Sequence, residues 1–204
     1  MSHLTPGDPA PLFRVPSTSS PNFNFDTVGG YRVILSFLGS SKVDRCRQVL
    51  QQFLDLQAEF EQANVPFFGV LIDPDDVVFQ DQITHLTYCK LFWDFDRAVS
   101  QLYGVLQPTS AANFNVQYIP MSFVLNQNLQ IMAIAPIQDP AQHAVQVLQW
   151  AKELPEFSAP TMATRQAPAL FIPNVLDHEL CHHLIQLYTT NGGKDSGFIP
   201  LWSL

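Results

Sequence analysis

The run of strand, helix and strand over residues 31–72 constrains this chain more than any other feature. Tyr31-Arg32-Val33-Ile34-Leu35-Ser36-Phe37 is a mostly apolar run of strand length, of the kind buried on both faces of a sheet. From Asp44 the period changes, and Val49, Leu50, Phe53, Leu56 and Phe60 recur every three or four residues as far as Asn64. That spacing predicts an amphipathic helix. A second buried strand, Phe67-Phe68-Gly69-Val70-Leu71-Ile72, follows and is closed by Asp73-Pro74-Asp75-Asp76. Two strands separated by a helix cannot form a tight hairpin. They imply a parallel pair joined by a right-handed crossover.

The rest of the chain adds to this nucleus. Five prolines in the first thirty residues predict extended chain and turns there. Beyond residue 76 the pattern predicts a weak helix over 77–83, a short strand near 90–93, a helix over 95–103 ending at Gly104, and a loop over 107–117. Met121-Ser122-Phe123-Val124-Leu125 and Gln130-Ile131-Met132-Ala133-Ile134-Ala135 flank Asn126-Gln127-Asn128, which has hairpin-turn chemistry. A last amphipathic helix is expected over 141–154. The order is βαβ, helix, ββ hairpin, helix around one mixed sheet. This predicts an α/β chain with a thioredoxin-like fold, a mixed central sheet flanked by helices, and a short helical C-terminal extension.

Residues 158–168 hold two prolines and no apolar period, and read as a linker. The expected organisation is a domain over 1–157, the linker, and a segment over 169–204. Those last 36 residues are too few for an independent core. Within them a helix is expected from Leu176 to Tyr188, with Asp177 as N-cap and Asn191-Gly192-Gly193 as the stop.

Composition narrows the function classes. Ten Lys and Arg against eighteen Asp and Glu give a formal charge of −8, with no basic cluster to grip a phosphate backbone, so no nucleic acid partner is expected. No apolar run approaches the roughly 20 residues of a membrane span. The first residues lack the basic and apolar regions of a secretory signal. Three widely spaced cysteines, Cys46, Cys89 and Cys181, suit a reducing, cytoplasmic setting better than a disulfide framework.

Cys46 is the leading candidate for chemistry. It falls in the first turn of the helix after the first strong strand, where unpaired N–H groups and the helix dipole favour a thiolate. Lys42, Arg45 and Arg47 lie nearby in sequence, with Asp44 opposing them. The expectation is a thiol pKa below that of a free cysteine. The competing reading is a small buried side chain on the helix face.

Leu4-Thr5-Pro6-Gly7-Asp8-Pro9-Ala10-Pro11-Leu12-Phe13 resembles the opening of a peroxiredoxin, of the alkyl hydroperoxide reductase/thiol-specific antioxidant family. The strand ending at Phe37, nine residues before Cys46, and Leu91-Phe92-Trp93-Asp94-Phe95-Asp96-Arg97-Ala98-Val99 with Tyr103-Gly104-Val105 are similar to further segments of that family. The resemblance covers residues 4–154. It implies thiol-dependent reduction of peroxides through Cys46, of one-cysteine type, with a peroxide and a thiol reductant as substrates, no cofactor, and a homodimer as the assembly to test. The family surrounds its cysteine with a proline, a Thr or Ser, and a distant Arg. Here those positions are Gly39, Val43 and Pro120, so Val43, Arg45 and Pro120 are the expected substrate-facing residues and slow turnover is expected. Pro120 also matches the proline, often cis, that leads into a strand of thioredoxin folds. The alternative function is a non-catalytic binding or docking module associated with a 2-oxoglutarate oxygenase. Cys89 is expected to be structural, and Cys181 lies beyond the linker.

The tail carries His178-Glu179-Leu180-Cys181-His182, an HExxH string that places two histidines one helical turn apart. The helical period instead puts Leu176, Leu180, Leu184 and Leu187 on one stripe and the histidines on the wet face, so no metal site is expected. The leucine stripe is expected to dock on the preceding domain or on a second chain. Ala167-Pro168-Ala169-Leu170-Phe171-Ile172-Pro173-Asn174-Val175-Leu176, with Glu179-Leu180-Cys181 and Ser196-Gly197-Phe198, resembles the start of a prolyl-4-hydroxylase-like 2-oxoglutarate/iron oxygenase. It ends before that family's iron ligands.

Overall fold

A computed structural model describes residues 4–110, 113–155 and 177–192, with the side chains of 108–116 excepted. The chain divides into two compact units, Met1–Phe157 and Ser158–Leu204.

In the first unit two short strands, β1 (Arg14–Val15) and β2 (Phe23–Asn24), pair antiparallel and lead through a 3-10 turn at Phe25–Val28 into β3 (Val33–Gly39). Helices α1 (Asp44–Asp55) and α2 (Gln57–Ala63) cross over to β4 (Phe67–Leu71). The single helix expected over 44–64 is broken at Leu56, whose φ of −91° and ψ of 14° leave the helical region. A 3-10 helix at Pro74–Phe79 and α3 (Gln80–Ile83) precede β5 (Cys89–Trp93) and α4 (Ala98–Leu102). The loop expected over 107–117 is instead a hairpin of β6 (Leu106–Ser110) and β7 (Asn113–Tyr118). It stands apart from the main sheet. Next come β8 (Met121–Leu125), β9 (Ile131–Pro136) and α5 (His143–Glu153).

The main sheet has the order β5-β4-β3-β8-β9. β3, β4 and β5 run parallel; β8 joins β3 antiparallel, and β9 joins β8 antiparallel. This is the expected mixed sheet. Each face has its own core, because successive residues of a strand point to opposite sides. Ile34 and Leu38 of β3 join Val49, Leu50 and Phe53 of α1 and Val147 and Leu148 of α5. Val33, Leu35 and Phe37 join Phe25, Phe92 and Tyr103 on the other side. Stacked rings hold both layers, with Phe53 and Phe67 at 3.9 Å and Phe13 and Phe25 at 4.5 Å between centroids. Arg32, just before β3, donates to the carbonyls of Ala63, Lys152 and Leu154, where α2 and α5 end. It ties the ends of both helices to the start of the central strand.

In the second unit α6 (His178–Asn191) starts at Asp177, whose carboxylate accepts the Leu180 N–H at 2.7 Å, and stops at Gly192. The expected cap and stop are both in place. Within α6, Leu180, Leu184 and Leu187 recur at the helical spacing of one stripe. The remainder of the oxygenase-like resemblance lies outside the described residues. No helix among the described residues is long and apolar enough to cross a membrane.

Candidate active site around Cys46

β3 delivers the chain to the site. It ends at Gly39, whose φ of +80° suits a residue without Cβ. A Cβ there would stand 3.1 Å from the ring of Tyr118 at the end of β7. The expected proline position is thus filled by a conformation that proline, locked near a φ of −65°, cannot adopt.

Ser40, Ser41 and Lys42 follow, and each is bonded to the acidic turn after β4. The Ser40 hydroxyl donates to Asp73 at 2.9 Å. The Ser41 N–H faces the Asp76 carboxylate at 3.2 Å, and the Ser41 hydroxyl donates to the same group in a shorter bond. The Lys42 ammonium meets Asp73 at 2.9 Å and Asp75 at 2.6 Å. Hydrogen bonds from Lys42, the Asp75 N–H and Ser40 hold Asp73 below the usual carboxylate range.

Val43 is the N-cap of α1 and contributes no side-chain hydrogen bond; it is 51% exposed. Cys46 therefore sits three residues into the helix, as expected. Its side chain lies on the stripe of Val49, Leu50 and Phe53, and it is only 2% exposed. Arg45 is exposed, and Arg47 is engaged by Asp44 across one turn.

The electrostatics correct the sequence reading. Burial pushes the Cys46 thiol above its ordinary value. Arg45 pulls it down, and Asp76 adds to the rise. The helix end supplies partial positive charge, but the thiol points into the core and away from the water that a thiolate needs. Two of the three cations counted in the sequence are committed elsewhere, Lys42 to Asp73 and Asp75 and Arg47 to Asp44, which leaves Arg45.

Pro120 lies at the same end of the sheet. Met121, the first residue of β8, pairs with Phe37 near the end of β3, so the residue before it borders the loop that leads to Cys46. It leads into β8 as the sequence pattern suggested, through a trans peptide bond. Its carbonyl accepts the Ile137 N–H at 3.0 Å, and it brings no donor or cation. The sequence-derived set of Val43, Arg45, Cys46 and Pro120 thus converges on one end of the sheet.

Cys89 does not join it. Phe67 pairs with Ile34 on one side and Cys89 on the other, so Cys89 is level with the start of β3. Five residues of strand, about 16 Å, separate that level from Gly39. Burial pushes the Cys89 thiol up to about 12.

Sequence reasoning missed Asp76 and Tyr118. Asp76 is 1% exposed. Burial raises its pKa while the bonds from Ser41 lower it. The Tyr118 hydroxyl lies 3.4 Å from that of Ser100, and burial pushes its pKa up. The one sequence signal for Asp76 was the density of acids after β4, which read only as a turn. Tyr118 had none, because it follows directly on a segment that read as loop.

The chain matches the AhpC/TSA family over residues 6–134. It is 28% identical over 133 residues to "Putative peroxiredoxin Rv2521" of Mycobacterium tuberculosis, covering 64% of this chain and 84% of that protein. Among solved structures it is similar to the peroxidoxin BcpB of Mycobacterium tuberculosis, with a TM-score of 0.63, 18% identity, and 75% and 99% of the two chains covered. A mutant PrxQ of Xylella fastidiosa gives a TM-score of 0.63 at 18% identity, with 74% and 98% covered. These structures share the fold. With the family spanning most of the sheet and the cysteine at its expected helix start, the chain belongs to the AhpC/TSA family, the peroxiredoxins, whose chemistry is thiol-dependent reduction of peroxides.

Proposed function

We propose that this chain reduces peroxides through Cys46 alone and returns to its starting state with an external thiol. The Cys46 thiolate attacks one peroxide oxygen, the O–O bond breaks, and the leaving oxygen takes up a proton as water or an alcohol. The product is a Cys46 sulfenic acid. One thiol of the reductant then forms a mixed disulfide and releases water, and a second thiol displaces Cys46 and leaves as the oxidised reductant. The observation that carries this reading is the position of Cys46 at the N-terminal turn of the crossover helix, beyond the C-terminal end of β3. Cys89 is level with the other end of the strands, which supports a reductant from outside the domain. A reducing compartment such as the cytoplasm would supply one.

Turnover is slow in this reading. The site offers neither a hydroxyl at Val43 nor a cation at Pro120, and placed donors are usually the largest catalytic contribution. The buried, uncharged thiol favours a second reading, a non-catalytic module that keeps the fold and not the reaction. We also assign residues 1–157 to the redoxin domain, 158–168 to a linker and 169–204 to an oxygenase-like segment. Stopped-flow consumption of hydrogen peroxide and an alkyl hydroperoxide, with a small dithiol as reductant, separates the two readings. Consumption that disappears in Cys46→Ser supports the enzyme. Rates equal to those of Cys46→Ser leave the binding module.

A further inference from the structure

Three consecutive residues of the loop before α1 are bonded to three acids of the turn after β4, and one of those acids is unlike the others. Asp73 and Asp75 meet the exposed ammonium of Lys42, which balances them. Asp76 is buried, and its carboxylate is held by the N–H and hydroxyl of Ser41, with no ion pair to it among the described residues. Ser41 is five residues before Cys46, with only Lys42 and the cap residue Val43 between it and the helix. Asp76 therefore grips the backbone that leads into the helix start, and its negative charge adds to the effect of burial in opposing the Cys46 thiolate.

We propose that Asp76 is a positioning residue for Cys46: through Ser41 it fixes the loop that carries the cysteine into α1, and it sets a buried negative charge against that loop. The proposal rests on the Cys46 reading for its biological meaning, but not for its test. Other charges around the pair work in known directions. Arg45 favours the thiolate, Lys42 favours ionised Asp76, and Asp73 opposes it. Tyr118 is coupled to both Cys46 and Asp94, and its phenol stays neutral because burial disfavours the phenolate. Asp44 and Arg47 pair with each other on the exposed side of α1. Asp76 is the carboxylate among these that is both buried and coupled to the thiol. Neutralising that carboxylate by substitution removes a charge that opposes the thiolate, while the burial of the thiol remains.

The test is the pH profile of Cys46 alkylation by iodoacetamide, which needs no peroxidase activity. It is run in a Cys89→Ser, Cys181→Ser background so that one thiol reports. Asp76→Asn keeps an acceptor for Ser41 and removes the charge. The midpoint should move to lower pH, and alkylation at pH 7 should rise by about three- to tenfold, since one pKa unit is a factor of ten in thiolate. An unmoved or higher midpoint would overturn the proposal. Ser41→Ala keeps every charge and removes one bond. Its midpoint should stay put while amide hydrogen exchange in the first turn of α1 speeds up by about tenfold or more. Unchanged exchange there would remove the positioning role, even if Asp76→Asn does not fold. A shifted alkylation profile in a chain without peroxide turnover would uphold Asp76 and sink only the enzymatic reading.

Discussion

Val43 caps the helix that presents Cys46 three residues later, and it does so without a hydrogen bond. Its φ of −86° and ψ of 115° are those of an ordinary N-cap, but a valine side chain has nothing to offer the orphan N–H groups of the first turn. A threonine fits the same shape and adds the missing acceptor. Val43→Thr should stabilise the domain by about 1 kcal/mol, the usual worth of a capping hydroxyl. Urea unfolding followed by circular dichroism measures it. A loss of stability would show that the hydroxyl cannot reach the first-turn amides. The same variant adds a hydroxyl donor at the start of α1 and should raise any peroxide rate.

The pH dependence of the thiol follows from its burial. With its pKa raised, Cys46 is almost wholly protonated at neutral pH, and its alkylation rate should still be climbing beyond pH 9. A free cysteine has passed its midpoint of about 8.5 by then. Any peroxide consumption should rise with pH over the same range. A plateau below pH 8 would contradict the packing of Cys46 against the core.

Cys46 and Cys89 should not form a disulfide with each other. A bridge needs Cα atoms within roughly 7 Å, and the strand registers separate their levels by more than that even after α1 has run back one turn. Two strand spacings, about 10 Å, add to the gap sideways. Peptide mapping after hydrogen peroxide treatment should find Cys46 oxidised or in mixed disulfides, and Cys89 as free thiol. A Cys46–Cys89 peptide would require the domain to unfold locally. Cys89→Ser should leave peroxide consumption unchanged.

The sequence carried the sheet because the information was local. Apolar runs such as Val33–Phe37 and Phe67–Leu71 are strands buried on both faces, and nothing else of that length and composition fits between turn signals. The hairpin of β6 and β7 was illegible, since Pro108 and the small polar residues around it are weak strand formers. Cys46 was placed correctly by counting from the strand. Its ionisation was not, because a helix end favours a thiolate only where water or a cation can share the charge. Which way a side chain points, and which carboxylate from a distant turn bonds the loop before it, are properties of the assembled fold. Asp76 is the clearest instance: its contact with Ser41 joins two loops at the ends of neighbouring strands, and no sequence period marks it.

A buried polar chain gives the last prediction. The hydroxyls of Ser36 and Ser122 lie 2.6 Å apart across the β3–β8 pair, and the Ser122 hydroxyl is 2.8 Å from Nε2 of His143 at the start of α5. All three residues are buried, and burial pushes His143 down to about 4. An unfolded histidine titrates near 6.5. Above 6.5 both states hold the imidazole neutral, and its full contribution to stability is present. Between 6.5 and 4 the unfolded chain binds a proton that the folded chain refuses, so stability falls as the pH drops, by up to about 3 kcal/mol. Asp76 and Asp94 work in the opposite sense, since burial raises both and folding then favours their protonated forms. The measurement is therefore a difference between proteins. Urea unfolding at pH 7 and at pH 4.5 should show a steeper loss for the wild type than for His143→Gln, which keeps a hydrogen-bonding group and cannot titrate. Equal losses in the two proteins would mean that His143 takes up its proton in the folded state, with the Ser122 bond broken or reversed.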